Sequence, residues 1–126
     1  MTFEVKRSEW VRGESTVSAL LVEENDRDIA HPDRKRCCLG FFAKACGIPD
    51  SQISGLPTPA VLQGPKPASA DWNALMKKGM SMSRVNSDLC GELMNCNDNR
   101  DLTDDERETK LAQLFSKLGH TVVFVD

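Results

Sequence analysis

Two adjacent cysteines carry the most distinctive chemistry in the chain. Cys37 and Cys38 open the run Cys-Cys-Leu-Gly-Phe-Phe-Ala-Lys-Ala-Cys, which ends at Cys46 and is followed by Gly47. A cysteine at a helix start sits among free backbone N–H groups at the positive end of the helix dipole, which favours the thiolate. Arg34, Lys35 and Arg36 precede the pair and would add to that field, although three basic residues in a row read as a solvated turn rather than a phosphate site. A thiolate nucleophile also needs a general base oriented by a third polar group. The chain has two histidines, His31 and His120, and His120 opens the last predicted strand, so it is the base such a site would use. No Asn, Gln or acid at a recognisable spacing follows it before Asp126. No catalytic residue is therefore favoured; Cys37, Cys38 and His120 define the enzymatic alternative, a small cysteine hydrolase or transferase. Adjacent helix residues point about 100° apart. Cys38 lies nearer the stripe extended by Phe41, Phe42 and Ala45 and is assigned to the core, which leaves Cys37 as the more reactive thiol.

Metal chemistry has weaker support. Cys37, Cys38, Cys46, Cys90 and Cys96 include no Cys-x2-Cys pair, the mark of a structural zinc site, so neither metal nor cofactor is expected. Five is an odd number, and in a reducing compartment all five are expected as thiols packing as small hydrophobes. The acids Asp98, Asp101, Asp104, Asp105 and Glu106 lack the order of a calcium loop and read as a helix start beside a solvated turn. The chain contains no phosphate-binding glycine loop and no Gly-x-Ser-x-Gly nucleophile turn.

The elements that would hold these residues follow from periodicity. Leu39, Phe42, Ala43 and Cys46 fall at i, i+3, i+4 and i+7, which predicts a helix over Cys37–Cys46 with one buried face. Gly40 in its middle costs about 1 kcal/mol relative to alanine, and close approach by another backbone would account for it. Thr103 to Glu106 is a capping-box sequence, and Leu111, Leu114, Phe115 and Leu118 form the apolar stripe of a helix over Asp104–Leu118 that Gly119 stops. Thr121–Val125 is β-branched and aromatic, and Ser18–Val22 is apolar; both are predicted strands. Glu4 to Arg12 reads as a short helix carrying Trp10 inward, and Ser87 to Met94 as another, followed by a turn-rich connection from Asn95 to Asp101. The expected fold is α+β, with a small antiparallel sheet of Ser18–Val22 and Thr121–Val125 packed by the Cys37–Cys46 and Asp104–Leu118 helices. Leu39, Phe42, Leu111, Leu114, Phe115 and Leu118 should share one core.

At 126 residues the chain fits one domain, expected to span 1–126. Pro57, Pro59, Pro65 and Pro67 are four of its six prolines and make 55–70 a stiff surface loop. Long loops of this kind are commonly functional, so Leu56, Pro57, Pro59, Pro65, Pro67 and the neighbouring Trp72 are the expected binding surface. A net charge of −3 argues against a general nucleic-acid binder and points to a protein or small molecule as partner. No apolar run is long enough for a membrane span, and the first residues carry charges where a signal peptide needs an apolar core. The expectation is a protein of the cytoplasm.

Two resemblances add context. The stretch Cys37-Cys38-Leu39-Gly40-Phe41-Phe42, ending at Gly47-Ile48, is locally similar to the nucleophile helix of papain-like and NlpC/P60-like cysteine hydrolases. Over most of its length the chain resembles a group of small uncharacterised proteins carried by phages, prophages and bacteria. The residues that carry this are Trp10 to Gly13, Leu20-Leu21, Cys37-Cys38-Leu39-Gly40, Leu56-Pro57, Asn97-Asp98, and the tail from Asp104 through Phe115 and Gly119 to Val125. The phage-type resemblance implies a non-enzymatic binding protein acting in the host cytoplasm, for example as an inhibitor of a host or anti-phage defence component, or as a protein that sequesters a small ligand.

Overall fold

Alternation begins immediately after Met1. In the computed structural model, which describes residues 1–13, 19–27, 29–56 and 89–126, Phe3 and Val5 of strand β1 (Thr2–Lys6) are buried while Thr2, Glu4 and Lys6 face outward. This period of two makes a half-buried strand, so the helix expected from Glu4 is not formed. The chain instead passes through a single 3-10 turn at Arg7–Glu9 and buries Trp10 in extended backbone.

Strand β2 (Thr121–Val125) lies alongside β1 in parallel, with Phe3 opposite Val122 and Val5 opposite Phe124. The expected antiparallel sheet of Ser18–Val22 with Thr121–Val125 is corrected on both counts: the partner is β1 and the direction is parallel. The reason lies in where the backbone bonds of the apolar segment go. Ser18 lies outside the described residues, but Ala19, Leu20, Leu21 and Val22 are all buried. The Cys37 N–H donates to Ala19 O, the Val22 N–H to Lys35 O, the Leu20 N–H to Leu56 O and the Gly55 N–H to Leu21 O. The segment is thus threaded between residues 35–37 and 54–56, which take the bonds on both of its edges in place of β2. An apolar run without polar alternation signals this two-sided burial.

Parallel strands cannot be joined by a tight hairpin and need a crossover. The described helices lie within it: α1 (Cys38–Ala45), the single turn α2 (Asp50–Ile53), α3 (Leu89–Asp98) and α4 (Asp104–Lys117). Helix α1 packs on β1, and α4 packs on α3 and β2. Phe3, Phe42 and Phe115 meet at the centre with ring centroids 4.9 to 5.9 Å apart, separations at which aromatic pairs attract beyond their area burial. The expected core is formed: Leu39, Phe42, Leu111, Phe115 and Leu118 are buried together, with Leu114 half-buried against them. The Thr103 capping box is present with both of its bonds.

Helix α3 runs to Asp98, through residues expected to be a connection. Cys90, Leu93, Cys96 and Asn97 form its buried face, and the last of these is satisfied inside the core rather than in solvent. Gly40 is the site of close approach that its position implied: a Cβ there would lie 1.8 Å from Leu20 O. Among the described residues no helix is long and apolar enough to cross a membrane.

Candidate functional site

The cysteine pair is where sequence chemistry pointed, and the structure gives it a different character. Six consecutive residues of α1, Cys38 to Ala43, are buried, so this part of the helix has no solvent face. A helix covered on all sides belongs to the core. Cys37 is the residue before the first turn and is 3 % exposed; Cys38 is fully buried. Burial pushes the Cys37 thiol up to about 11, with the helix amides of Gly40 and Leu39 pulling the other way without offsetting it. The Cys38 thiol is likewise raised well above its ordinary value, first by burial and then by its proximity to Cys37. Its sulfur lies 3.8 Å from the Leu93 carbonyl oxygen. Desolvation thus outweighs the helix-terminus effect for both thiols.

His120 is buried under the same core. Its ring stands edge-on to Phe42 at 4.8 Å between centroids, and its Nδ1 lies 3.3 Å from the amino group of Met1. Of the expected binding loop, Leu56 is half-buried, packs against the core and accepts the Leu20 N–H. Pro57, Pro59, Pro65, Pro67 and Trp72 lie outside the described residues. Among the described residues no group of three or more His, Cys, Asp or Glu side chains is placed to hold a metal ion.

A second constellation had no signature in the sequence. A cavity of about 200 Å³ opens where the segment after Trp10 meets the corner between α3 and α4. Arg12, Arg34, Arg100 and Arg107 line it, together with Thr103 and Asp104 at the start of α4. Four arginines and one carboxylate are thus among the described lining residues. The Arg12 Nε and one terminal nitrogen donate to Asp104 at 3.2 and 3.4 Å, and Arg107 donates to it at 2.7 Å. Burial alone would raise the Asp104 carboxyl; hydrogen bonding by Arg12 and the charges of Arg12, Arg107 and Arg34 outweigh it and hold the group below its ordinary range. Among the described residues the side chains of Arg34 and Arg100 make no ion pair. Among the described residues the lining therefore carries a positive surplus, on a chain of net negative charge.

The positions of these arginines are fixed by buried polar contacts. Asn97, fully buried in the last turn of α3, accepts the Trp10 indole N–H (2.7 Å) and the Cys38 backbone N–H (3.0 Å) on Oδ1. Its amide donates to Val11 O, and its own carbonyl accepts the Gly13 N–H. The segment carrying Arg12 is thus tied to α3, and the Arg12 guanidinium also lies over the Trp10 ring at 4.6 Å. Gly13 has φ +47°, and a Cβ there would lie 2.5 Å from an Arg107 nitrogen, so glycine allows the segment to turn against this side chain. Arg107 is itself buried at 3 %, donating to the carbonyls of Asn99 and Leu102 as well as to Asp104. These bonds hold the 99–102 corner against the start of α4.

The basic triplet read as a solvated turn divides three ways. Arg36 is buried and pairs with Asp50 at 2.9 Å, Lys35 reaches Glu9 at 3.9 Å, and Arg34 lines the cavity. Beside Arg34 a second cavity, of about 260 Å³, is bordered by Arg7, Ala30, His31 and Pro32. Residues 12, 34, 100 and 107 share no spacing, so no motif search would group them. The one available signal was Arg107, a charge standing four residues before Leu111 on the apolar stripe of α4. No protein-family model, no curated protein and no solved structure matches this chain.

Proposed function

We propose that the protein is a non-enzymatic binding protein that seats an anionic group of its partner in the four-arginine cavity. The partner class is a host protein or a small molecule, and the phage-type resemblance favours an inhibitor of a host or anti-phage defence component acting in the host cytoplasm. The observation that carries the reading is the unbalanced charge: among the described residues four arginines and a single carboxylate line the cavity, and the guanidinium fork is suited to bidentate recognition of oxyanions. The raised, buried thiols of Cys37 and Cys38 weigh against the hydrolase alternative.

Affinity capture from a bacterial lysate, with native mass spectrometry of both proteins and small molecules, tests this when run beside Arg34→Ala and Arg100→Glu. Both residues are at least partly exposed, so the variants should fold. A species bound by the natural sequence and lost from both variants is the expected result. A species retained equally by folded variants would move the binding surface elsewhere.

A further inference from the structure

We propose that the arginine cavity binds the terminal phosphate of a small organic phosphate monoester, such as a nucleoside monophosphate, with Asp104 acting as the built-in counter-anion that the phosphate must displace. This deepens the binding reading above and rests on it. Size comes first. About 200 Å³ is below the range of pockets that enclose a drug-sized ligand, but it accommodates a compact oxyanion with part of its hydration. The organic part then needs a place, and the neighbouring cavity of about 260 Å³ supplies it, because Arg34 borders both. That second cavity is polar, bordered by Arg7, Ser8, His31 and Asp33 beside Pro32, so it suits the hydroxyls and ring nitrogens of the organic part, and the Arg34 guanidinium can stack on a planar base.

Charge selects the class of anion. Asp104 already occupies Arg12 and Arg107 with one negative charge. A monoanionic carboxylate can at best exchange with it, whereas a dianionic, tetrahedral phosphate offers oxygens to Arg34 and Arg100 and competes for Arg12 at the same time. Thr103 and Asp104 on the cavity wall begin a fourteen-residue helix, whose dipole adds a favourable potential for negative charge at that end. A nucleic-acid backbone fits less well, since its phosphodiesters are monoanions and the chain as a whole is negative. Arg107, whose terminal nitrogens are taken by Asp104 and by the carbonyls of Asn99 and Leu102, positions the corner and is not the residue to test.

The experiment is isothermal titration of the full chain with adenosine 5′-monophosphate, inorganic phosphate, adenosine, acetate and a short single-stranded DNA. The expected order places the monophosphate first and inorganic phosphate second, with adenosine, acetate and DNA showing no binding. Arg34→Ala and Arg100→Ala should each weaken the monophosphate by about tenfold, the effect of losing one charge-assisted contact. Asp104→Asn should tighten it, because the internal competitor is gone; a fold check by circular dichroism accompanies this variant, and the two arginine variants decide the matter if it does not fold. Acetate binding as well as phosphate would overturn the phosphate class while leaving the binding reading intact. DNA binding more tightly than the monophosphate would likewise replace the ligand class. No response to any anion would remove the phosphate proposal, and the capture experiment above then decides the binding reading by itself.

Discussion

The indole N–H of Trp10 donates to Asn97 Oδ1 across 2.7 Å, and both side chains are wholly buried. The same oxygen accepts the Cys38 backbone N–H, and the amide nitrogen donates to Val11 O. One amide thus joins the segment after β1, the start of α1 and the end of α3. Asn97→Ala should therefore destabilise the fold by about 3 kcal/mol or more, since each buried group left unpaired costs roughly 1–3 kcal/mol. Urea denaturation checks it; a loss below about 1 kcal/mol would mean that water or rearrangement replaces the amide.

Gly40→Ala ought to stabilise an isolated helix by about 1 kcal/mol. Here the added Cβ would meet Leu20 O at 1.8 Å and Leu20 C at 2.8 Å, contacts with backbone that cannot swing aside. The expected outcome is a loss of about 2 kcal/mol or more, in the range of core overpacking. A variant as stable as the natural sequence would show that residues 19–22 move freely over α1.

The thiols give a kinetic readout. Cys37, Cys38, Cys90 and Cys96 are buried, and Cys46 is half-exposed at the end of α1. With a soluble thiol reagent on the native protein, Cys46 should react first and alone, and Cys37 should react only at the rate of unfolding. Rapid labelling of Cys37, identified by peptide mass mapping, would restore it as a candidate nucleophile.

Asp50 supplies a pH dependence. The hydrogen bond from Arg36 holds its carboxyl below the ordinary value of 3.8, against the opposing effect of burial. A depressed folded-state value contributes stability that is complete above the ordinary aspartate range and is lost as pH falls through the folded value. Melting temperatures taken downward from about pH 6 should stay level, then fall below about pH 4. Asp50→Asn should flatten that fall, and a variant curve parallel to the natural one would show that the Arg36 pair does not contribute.

Helices α1 and α4 and the core were legible because their signals are local. Thr103 and Glu106 sit three residues apart, and Leu111, Leu114, Phe115 and Leu118 repeat with the helical period. The strand pairing was not legible. Ala19 to Val22 reads as a strand on composition, and only the bonds to residues 35–37 and 54–56 show that its backbone is already committed. In β1, the helix-compatible residues around Trp10 obscured the shorter alternation of Phe3 and Val5. The cavity was hidden for a related reason: contacts of Asn97 and Gly13 bring Arg12 to the corner that carries Arg100 and Arg107, and backbone bonds of residues 35 and 36 to Glu9 bring Arg34 alongside, links that no sequence window spans. Trp10, Gly13, Cys38 and Asn97, which belong to the segments that carried the phage-type resemblance, meet in this buried network. Their distinctiveness in the sequence reflects what they hold together.

The parallel pairing of β1 with β2 has a kinetic consequence. Thr2–Lys6 and Thr121–Val125 are separated by nearly the whole chain, so their contacts are of very high sequence separation. The entropy of closing that loop must be met before any strand bond forms, whereas the α3–α4 hairpin can assemble from neighbours at little such cost. The sheet then acts as a late-closing latch over a helical nucleus. Val5→Ala should accordingly raise the unfolding rate in stopped-flow measurements while leaving the refolding rate nearly unchanged, and the first event in unfolding would be the release of the β1 segment, carrying Arg7 out of its ion pair with Glu108.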